Sequence, residues 1–478
     1  MNEILIGRKK EVELLENIAK SNTSELVAIL GRRRIGKTFL IHSVYSSNIL
    51  FEISGVHKTN LITQLNNFNS ACLKYFGLKK TPHIPENWME AFQQLEYLLN
   101  TIKSKQKRIL FFDEFPWMET QRSGFITAFA HFWNTYAARQ GNIVIIICGS
   151  SASWMIQKVL NNKGGLHNRV TQRLILEPFT LKESQEYLFR KKIILSNDDL
   201  LRLYMIIGGV PYYLSKVEKG KSVNQIIDSL CFSNTGILRD EFHNLYEALF
   251  DNAQNHIAII KVLVVKNKGL TRDEILAATK IASGGTTSRL FEELEQSSFI
   301  KSYIPYGKKK KDTLYRLIDY YSIFYLKFMK SHLKNGNGSF NFISQMQSYK
   351  SWCGYAFENI CMQHTNELKA ALGITGVYTE QYSWYKKADN KTDGAQIDLI
   401  IDRNDKCINL IEIKYSNKTL LIDKALCNAI HKKKKIFVDT NNIKKTIFTN
   451  VISSQGYKYS NNLPTSIDEV FGVDIFFR

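Results

Sequence analysis

The first residues with obvious chemical capacity form a short glycine-rich run near the N-terminus. The run follows an apolar stretch over 26–30 and consists of Gly31, Arg32, Arg33, Arg34, Ile35, Gly36, Lys37, Thr38 and Phe39. Two glycines let the backbone curl so that its N–H groups point at phosphate oxygens. The lysine suits the β- and γ-phosphates, and the threonine hydroxyl suits Mg²⁺. With a strand before it and a helix after it, this is the pattern of a nucleotide-binding P-loop.

A pair of carboxylates at the end of a later apolar run forms the second group. Asp113 and Glu114 directly follow the apolar residues 109–112. In a doubly wound sheet, the carboxyl end of a strand faces the ligand crevice. We expect Asp113 to hold Mg²⁺ through water and Glu114 to polarise the attacking water, so the pair suits nucleotide hydrolysis. The alternative is an acidic pair at a solvated strand end.

Three more residues are candidates for contact with the nucleotide. Ser150 follows the apolar strand 143–148 and is predicted to sense the γ-phosphate, although a helix N-cap is an equal alternative. Arg169 and Arg173 precede the predicted last strand of the core, over 174–179. Either arginine is placed to reach a nucleotide in its own subunit or in a neighbour, which leaves a homo-oligomer open. Arg169 is preferred, and a surface ion pair is an equally good interpretation of both.

A separate charged group lies in the last third of the chain. Asp398 interrupts one apolar strand, and Glu412 and Lys414 interrupt the next. Glu412 and Lys414 are two positions apart and therefore share one face of their strand. Two carboxylates suit a Mg²⁺ ion, and the lysine suits the activation of a water molecule. Glu358, on a predicted helix over 352–360, is a further acidic candidate.

The strands that carry these charges are predicted over 394–401 and 407–414, with a turn at 404–405. They are alternatively two amphipathic strands with ordinary polar outer faces. Against that alternative, the charges interrupt runs whose apolar character predicts burial, where an unused charge is costly. A helix near 423–425 and the lysines 432–435 follow, and they supply either phosphate contacts or a solvated face.

Helical segments connect the two groups. Thr180 and Glu183 have the spacing of a capping box, and the helical stretch they begin continues to the string 208–214. Between 256 and 317, three helices precede two β-rich pieces that flank the basic turn 307–311. That order is typical of a winged helix, whose wing lysines suit DNA phosphates. The third helix carries several glutamates, so a purely structural role is the alternative.

Composition limits the class of protein. A chain of 478 residues is too long for one core, and about three domains are expected. The formal net charge of +20 favours a polyanion partner such as nucleic acid over a merely basic protein. Seven cysteines without a CxxC pair fit a reducing compartment. Since the first ten residues lack a signal core and no apolar run reaches the length of a membrane span, we expect a soluble cytoplasmic protein.

The chain resembles a family of archaeal and bacterial AAA/STAND-type ATPases with a C-terminal PD-(D/E)XK-like domain. The resemblance is carried by the P-loop with its acidic pair, by the Gly-Gly-x-Pro-x-Tyr-Leu string at 208–214 and by the charged hairpin. The resemblance implies an α/β fold with ATP and Mg²⁺ as cofactors. It further implies a P-loop AAA-type core over 1–178, a helical lid over 179–240, a winged helix over 241–335 and a restriction-endonuclease-like domain over 336–478. Two features depart from the family pattern: Ile397 stands where the nuclease motif has a proline, and no second-sensor arginine follows the string.

Two functions are consistent with these observations. In the first, ATP binding and hydrolysis are coupled to DNA binding and to metal-dependent DNA cleavage by the C-terminal domain. In the second, the chain is a nucleotide-driven switch whose inactive nuclease-like tail only binds nucleic acid or a protein. ATP and DNA are the expected partners in the first, and loss of cleavage on Asp398→Ala with folding intact would separate the two.

Overall fold

The computed structural model describes residues 5–80, 83–103, 106–161, 164–250, 252–388, 393–461 and 466–478. Residues 1–4, part of the segment in which no signal core is expected, lie outside the described residues. The chain divides into two compact units, Met1–Pro178 and Phe179–Arg478. The second unit contains the three stretches predicted as lid, winged helix and nuclease-like domain.

A five-stranded parallel sheet forms the centre of the first unit. Its strands are β1 (Glu25–Leu30), β2 (Ile49–Ser54), β3 (Arg108–Asp113), β4 (Ile143–Cys148) and β5 (Gln172–Ile175). They lie in the order β2-β3-β4-β1-β5, and each neighbouring pair is parallel. The middle strands β3, β4 and β1 are buried almost along their whole length. Continuous apolar runs are typical of parallel strands that are covered on both faces.

Helices cover both faces of this sheet. The helices are α1 (Lys9–Lys20), α2 (Lys37–Tyr45), α3 (Leu61–Tyr75), α4 (Trp88–Thr101), α5 (Phe125–Thr135) and α6 (Ala152–Met155). Side chains of α1 and α2 pack with one set of alternating strand residues, such as Val27 and Ile29. Side chains of α3, α4 and α5 pack with the other set, such as Leu26 and Ala28.

The last strand of the first unit differs from its prediction. We predicted a strand over 174–179, but β5 spans 172–175 and pairs with β1 from Val27 to Leu30. One more backbone bond, from Leu176 N to Leu30 O (2.8 Å), follows the strand. Since β1 ends at Leu30, β5 has no partner beyond that point, and Pro178 has no N–H to donate.

The second unit begins with five helices. They are α7 (Leu181–Arg190), α8 (Asn197–Ile207), α9 (Pro211–Ser215), α10 (Val223–Cys231) and α11 (Glu241–Leu249). The predicted capping box of Thr180 and Glu183 is confirmed at the start of α7. Gly209 lies directly against the backbone of Phe179, whose N–H donates to the Gly209 carbonyl (2.7 Å). The Tyr204 hydroxyl donates to the Phe179 carbonyl (2.8 Å), so the Gly-Gly-x-Pro string is closely packed with the first residue of this unit.

Residues 253–317, called the hairpin segment below, contain the predicted three helices and two β-rich pieces. The elements are α12 (Ala253–Leu263), β6 (Leu270–Thr271), α13 (Arg272–Thr279), α14 (Gly285–Gln296), β7 (Ile300–Tyr303) and β8 (Leu314–Leu317). Strands β7 and β8 form an antiparallel hairpin, and the short strand β6, which the sequence analysis missed, pairs with β8. A capping box of Thr271 and Glu274 begins α13.

A mixed sheet organises the rest of the second unit. The remaining elements are α15 (Tyr320–Phe324), α16 (Lys330–His332), α17 (Ser339–Gln345), α18 (Gln347–Gln363), α19 (Thr365–Ala371), β9 (Thr379–Lys386), β10 (Ala395–Arg403), β11 (Cys407–Lys414), β12 (Leu420–Ile422), α20 (Lys424–Asn441), β13 (Thr446–Ser453), β14 (Tyr457–Tyr459) and β15 (Glu469–Gly472). Five of these strands form the C-terminal sheet, in the order β15-β13-β11-β10-β9. Strands β9, β10 and β11 are antiparallel, which confirms the predicted β10–β11 hairpin, and β11, β13 and β15 are parallel.

The C-terminal sheet is covered by one long helix on each face. Leu399 and Ile411 pack in the same cluster as the buried residues of α18. Ile400 and Leu410 pack in another cluster with Phe437 of α20. The pairing of β9 with β10 is irregular between Ile397 and Ile400, so Asp398 lies at a bulge.

All seven cysteines are free thiols, and all but Cys407 are buried. In the described ranges, none of the helices combines the length and the apolar character that crossing a bilayer requires.

Two glycine-to-alanine substitutions should change stability in opposite directions. A Cβ at Gly209 would lie 1.8 Å from the Phe179 carbonyl oxygen, so Gly209→Ala forces the backbone apart. We expect a loss of about 3 kcal/mol in the free energy of unfolding. A Cβ at Gly354, within α18, meets nothing within 4 Å, so Gly354→Ala should stabilise the chain by about 0.5–1 kcal/mol. Urea unfolding of both variants beside the parent measures the two effects, and an unchanged Gly209→Ala variant would contradict the packing described here.

Candidate functional sites

The glycine-rich loop connects β1 to α2 and has the strained backbone that its glycines allow. Gly36 has φ +86°, and Gly31 has φ +146°. A Cβ at Gly31 would lie 2.6 Å from the Leu176 carbonyl oxygen, so a larger residue does not fit. The Lys37 ammonium is buried and donates to the carbonyl oxygens of Gly31 (2.9 Å) and Arg32 (3.1 Å). The loop is therefore wrapped around the lysine at the N-terminus of α2, where helix N–H groups favour an anion.

The two predicted magnesium ligands of this site are in direct contact. The Thr38 hydroxyl donates to Asp113 Oδ2 at 2.8 Å, which joins the start of α2 to the end of β3. Asp113 Oδ1 accepts from the backbone N–H of Glu114 (2.9 Å) and from the Cys148 thiol (2.8 Å). Burial, and then the charge of Asp113, raise the pKa of the Cys148 thiol well above its ordinary value, so the thiol keeps the proton it donates. Sequence reasoning missed Cys148, although its place at the end of the neighbouring strand was a usable signal.

Glu114 and Ser150 form a second contact at the same edge of the sheet. Glu114 Oε2 accepts from the Ser150 N–H (3.0 Å) and from the Ser150 hydroxyl (2.9 Å). Glu114 has a left-handed backbone (φ +45°), a conformation that costs free energy in a residue other than glycine. The alternative of Ser150 as a helix N-cap is wrong, because α6 begins after Ser151. The role of Ser150 as a sensor of the γ-phosphate stays a prediction.

Arg169 and Arg173 are both exposed. Within the described ranges, neither arginine takes part in an ion pair, so the surface ion pair considered for them is not observed. Their contact with a nucleotide stays a prediction.

The structure brings together the charged residues of the C-terminal hairpin. Asp398 directly precedes Leu399, and Glu412 directly follows its strand partner Ile411. The two residues are only 8% and 7% exposed. Asp398 Oδ2 accepts from the Ile413 N–H (3.0 Å). Lys414 donates to Glu412 Oε1 at 2.7 Å. We call Glu358, Asp398, Glu412 and Lys414 the acidic site.

Two further side chains, which the sequence analysis did not place at the acidic site, also contact it. Lys433 donates to both oxygens of Glu412 at 2.7 Å, and Gln396 Nε2 donates to Asp398 Oδ1 at 3.1 Å. We expected the lysines 432–435 to make phosphate contacts or a solvated face. Lys433 is instead half-buried and pairs with Glu412, and phosphate contact by these lysines stays a prediction. A signal was available, because Lys433 lies three positions after Ile430 and four before Phe437, on the buried stripe of α20.

Glu358, on α18, lies in the electrostatic field of the other carboxylates. Burial, and then the charge of Asp398, raise the pKa of Glu358 to about 7. Burial and the charge of Glu412 likewise raise the pKa of Asp398. Among the described residues, no group of three or more His, Cys, Asp and Glu side chains is arranged to hold a metal ion. The donor set still fits Mg²⁺, which is usually held by one or two carboxylates and keeps several waters.

The raised pKa of Glu358 predicts how stability depends on pH. Between the ordinary value of 4.5 and about 7, the folded chain holds a proton that the unfolded chain has lost. The free energy of unfolding therefore falls as pH rises through this window. Glu358→Gln removes this cost, so in EDTA it should stabilise the chain by roughly 3 kcal/mol above pH 7 and not at pH 4. Urea unfolding at both values measures this, with Glu469→Gln, an exposed glutamate of β15, as the control. An equal effect of Glu358→Gln at both pH values would contradict the assignment.

Comparisons with known proteins show a similarity over the first part of the chain. Residues 5–217 match the model of a family described as an ATPase domain predominantly from Archaea. An uncharacterized protein of Methanocaldococcus jannaschii is 26% identical over 87% of this chain and 88% of its own length. Among solved structures, a Walker-type ATPase of Pyrococcus abyssi is similar at a TM-score of 0.48 and 16% identity, over 68% of this chain and 96% of its own.

A second solved structure, the ORC2 protein of Aeropyrum pernix, is similar at a TM-score of 0.43 and 14% identity, over 72% of this chain and 96% of its own. Both TM-scores lie below 0.5, and nothing about the activity of this chain follows from either likeness. The family match agrees with the P-loop and with the parallel central sheet of the first unit. Residues 5–217 are therefore similar to ATPase domains of the archaeal type, and residues 1–178 have the α/β fold with the parallel sheet of a P-loop ATPase.

Proposed function

We propose that this chain binds ATP with Mg²⁺ at the P-loop and hydrolyses it. The observation that carries this proposal is the contact between Thr38 and Asp113, two oxygen ligands from elements 75 positions apart that meet beside Lys37. Such oxygens suit Mg²⁺. In this proposal Lys37 and the loop N–H groups hold the phosphates, and bound Mg²⁺ neutralises part of their charge.

Glu114 is the proposed general base for the attacking water. Its carboxylate is oriented by both donors of Ser150, and its backbone is in the left-handed conformation. The Ser150 hydroxyl has one proton and cannot donate to Glu114 and to a phosphate at once. A γ-phosphate that takes this hydroxyl would therefore release Glu114 from one of its two contacts. Arg169 is proposed to approach the nucleotide, in its own subunit or in a second copy.

We further propose that the second unit binds DNA and cleaves it with the help of a metal ion. Residues 336–478 would be the nuclease-like domain, in which Asp398 and Glu412 hold Mg²⁺ and Lys414 activates the attacking water. Support comes from two buried carboxylates, one of which, Glu412, accepts hydrogen bonds from both Lys414 and Lys433. Burial of such a charged group without a use would be costly.

DNA binding is assigned to the remaining parts of the second unit. Residues 241–335 would be a winged helix, because the hairpin segment has the order of three helices, a short strand between the first two, and a β-hairpin. All four lysines at the tip of this hairpin are exposed, namely Lys308, Lys309, Lys310 and Lys311. They and the net charge of +20 suit a polyanion. Residues 179–240 would be the helical lid that carries nucleotide state through the Gly-Gly-x-Pro string.

The ATPase proposal predicts two distinguishable losses. Lys37→Ala should abolish both ATP binding and turnover, because the cation for the phosphates is gone. Glu114→Gln should keep ATP binding and lower turnover by about 10²–10⁴-fold, the usual contribution of a general base. Isothermal titration with ATP and a phosphate-release assay measure the two steps. Lys74→Ala, an exposed lysine of α3, is the control, and full turnover by Glu114→Gln would contradict its role as base.

The nuclease proposal predicts cleavage that depends on the acidic site. We expect the parent to cut supercoiled plasmid or single-stranded DNA with Mg²⁺ or Mn²⁺. Asp398→Ala and Lys414→Ala should remove this cleavage and leave ATP turnover unchanged, since they lie outside the P-loop. Gel assays with and without ATP, with Lys37→Ala alongside, show whether nucleotide controls the cutting.

Asp439→Ala and Lys435→Ala, both exposed positions on α20, are the matched controls for charge removal in the same unit. If the parent cuts neither substrate with either metal while it still hydrolyses ATP, the cleavage proposal is contradicted. The C-terminal sheet would then be a module that binds nucleic acid or a protein.

A further inference from the structure

The hairpin segment is seated on the C-terminal sheet near the acidic site. The Tyr306 N–H, just beyond β7, donates to the Ser383 carbonyl of β9 at 3.0 Å. The Tyr306 ring packs against Tyr382 of β9 and Phe437 of α20, with ring centroids 5.3 and 5.2 Å apart. A backbone bond and two aromatic contacts thus hold the tip of the hairpin on the edge strand and on the helix that carries Lys433.

A second contact connects the hairpin segment to the acidic site itself. Lys268 lies in the turn before β6, and its ammonium donates to Gln396 Oε1 of β10. The Tyr303 hydroxyl donates to the Lys268 carbonyl, which ties this turn to β7. Gln396 Nε2 in turn donates to Asp398 Oδ1 at 3.1 Å. These contacts form a hydrogen-bond series from Lys268, through Gln396, to Asp398.

The chemistry of the three groups fixes which one donates and which one accepts in each hydrogen bond of this series. An ammonium group donates hydrogen bonds and cannot accept them, so Lys268 requires the carbonyl oxygen of the Gln396 amide. The amide nitrogen must then face the other way, toward Asp398. Since the Ile413 N–H holds the second oxygen of Asp398, the whole carboxylate is fixed in orientation. Partners that orient a metal ligand are often worth as much as 10–100-fold in metal affinity.

We propose that Lys268 is a positioning residue of the acidic site, where it fixes the Gln396 amide and through it the Asp398 carboxylate. This inference rests on the proposed metal-dependent cleavage. It makes the acidic site composite: Lys268 and Gln396 are 128 positions apart, and a site built from the C-terminal sheet is completed by a turn of the hairpin segment. Displacement of that turn would release Gln396 and loosen Asp398. The position of the hairpin segment therefore determines how firmly the Asp398 carboxylate is oriented.

The first test uses Mn²⁺ alone, titrated calorimetrically into the full chain without nucleotide. The signal of interest is the part that Asp398→Ala removes. Lys268→Ala should weaken this binding about tenfold, and Lys268→Arg, which keeps a donor, should restore most of it. Lys266→Ala, an exposed lysine two positions earlier in the chain, is the matched control and should bind like the parent. Equal Mn²⁺ affinity of Lys268→Ala and the parent would overturn the positioning role.

A double-mutant cycle tests the route through the amide. Gln396→Ala alone should weaken Mn²⁺ binding about as much as Lys268→Ala, and the double variant should be no weaker than either single one. Additive losses would overturn the route through Gln396. On DNA, Lys268→Ala should lower kcat and leave KM unchanged, whereas a raised KM with an unchanged kcat would show a phosphate contact instead of a positioning role.

The same titration separates this inference from the proposed function. If the parent and Asp398→Ala bind Mn²⁺ identically, no metal is held at this site, and the cleavage proposal falls together with the positioning role. If Asp398-dependent binding is present but insensitive to Lys268→Ala, only the positioning role falls. ATP turnover should be unchanged in every variant of this series, because none of them lies in the first unit.

Discussion

The cost of leaving a charged or polar group unpaired in a buried place shapes both sites of this protein. In the first unit, the ends of three buried parallel strands and the start of α2 meet at one edge of the sheet, and their polar groups satisfy one another. Thr38 and Cys148 both donate to Asp113, and Ser150 donates to Glu114. The groups that would hold a nucleotide and its metal are thus already oriented by contacts among themselves.

The second unit applies the same constraint within a different sheet. Asp398 and Glu412 flank the paired residues Leu399 and Ile411 of two antiparallel strands, where two buried carboxylates would repel each other strongly without partners. Lys414 and Lys433 neutralise Glu412, while Asp398 is held by the neutral donors Ile413 N–H and Gln396. The site is therefore asymmetric: one carboxylate is paired with two ammonium groups, and the other accepts hydrogen bonds from two amides.

Within the second unit, the hairpin segment and the C-terminal sheet are in direct contact near this site. Tyr306 packs on the edge strand and on α20, and Lys268 reaches β10 through Gln396. The hairpin segment, for which the sequence pattern predicts DNA contact, thus also supports the acidic site. If both proposals hold, contact of this segment with DNA would act directly on the orientation of Asp398.

Much of this protein was predictable from local sequence, because the relevant signals are short in range. The P-loop, the acidic pair at 113–114, the capping box of Thr180 and the β10–β11 hairpin depend on residue types a few positions apart. Side-chain alternation along a strand was enough to place Glu412 and Lys414 on one face. The end of β5 was predicted wrongly, because a strand ends where its partner ends, and the partner β1 is about 150 positions away in the sequence.

The partners of the site residues were decided by tertiary structure alone. Cys148, Lys433, Gln396 and Lys268 carry no motif, and each acquires its contact through strand order, helix packing or the seating of the hairpin segment. The sequence by itself determined which side chains have the chemistry for phosphate and metal. Only the fold determined which groups hold them in place, because a hydrogen bond depends on a distance of about 3 Å that residues far apart in the chain reach only after packing.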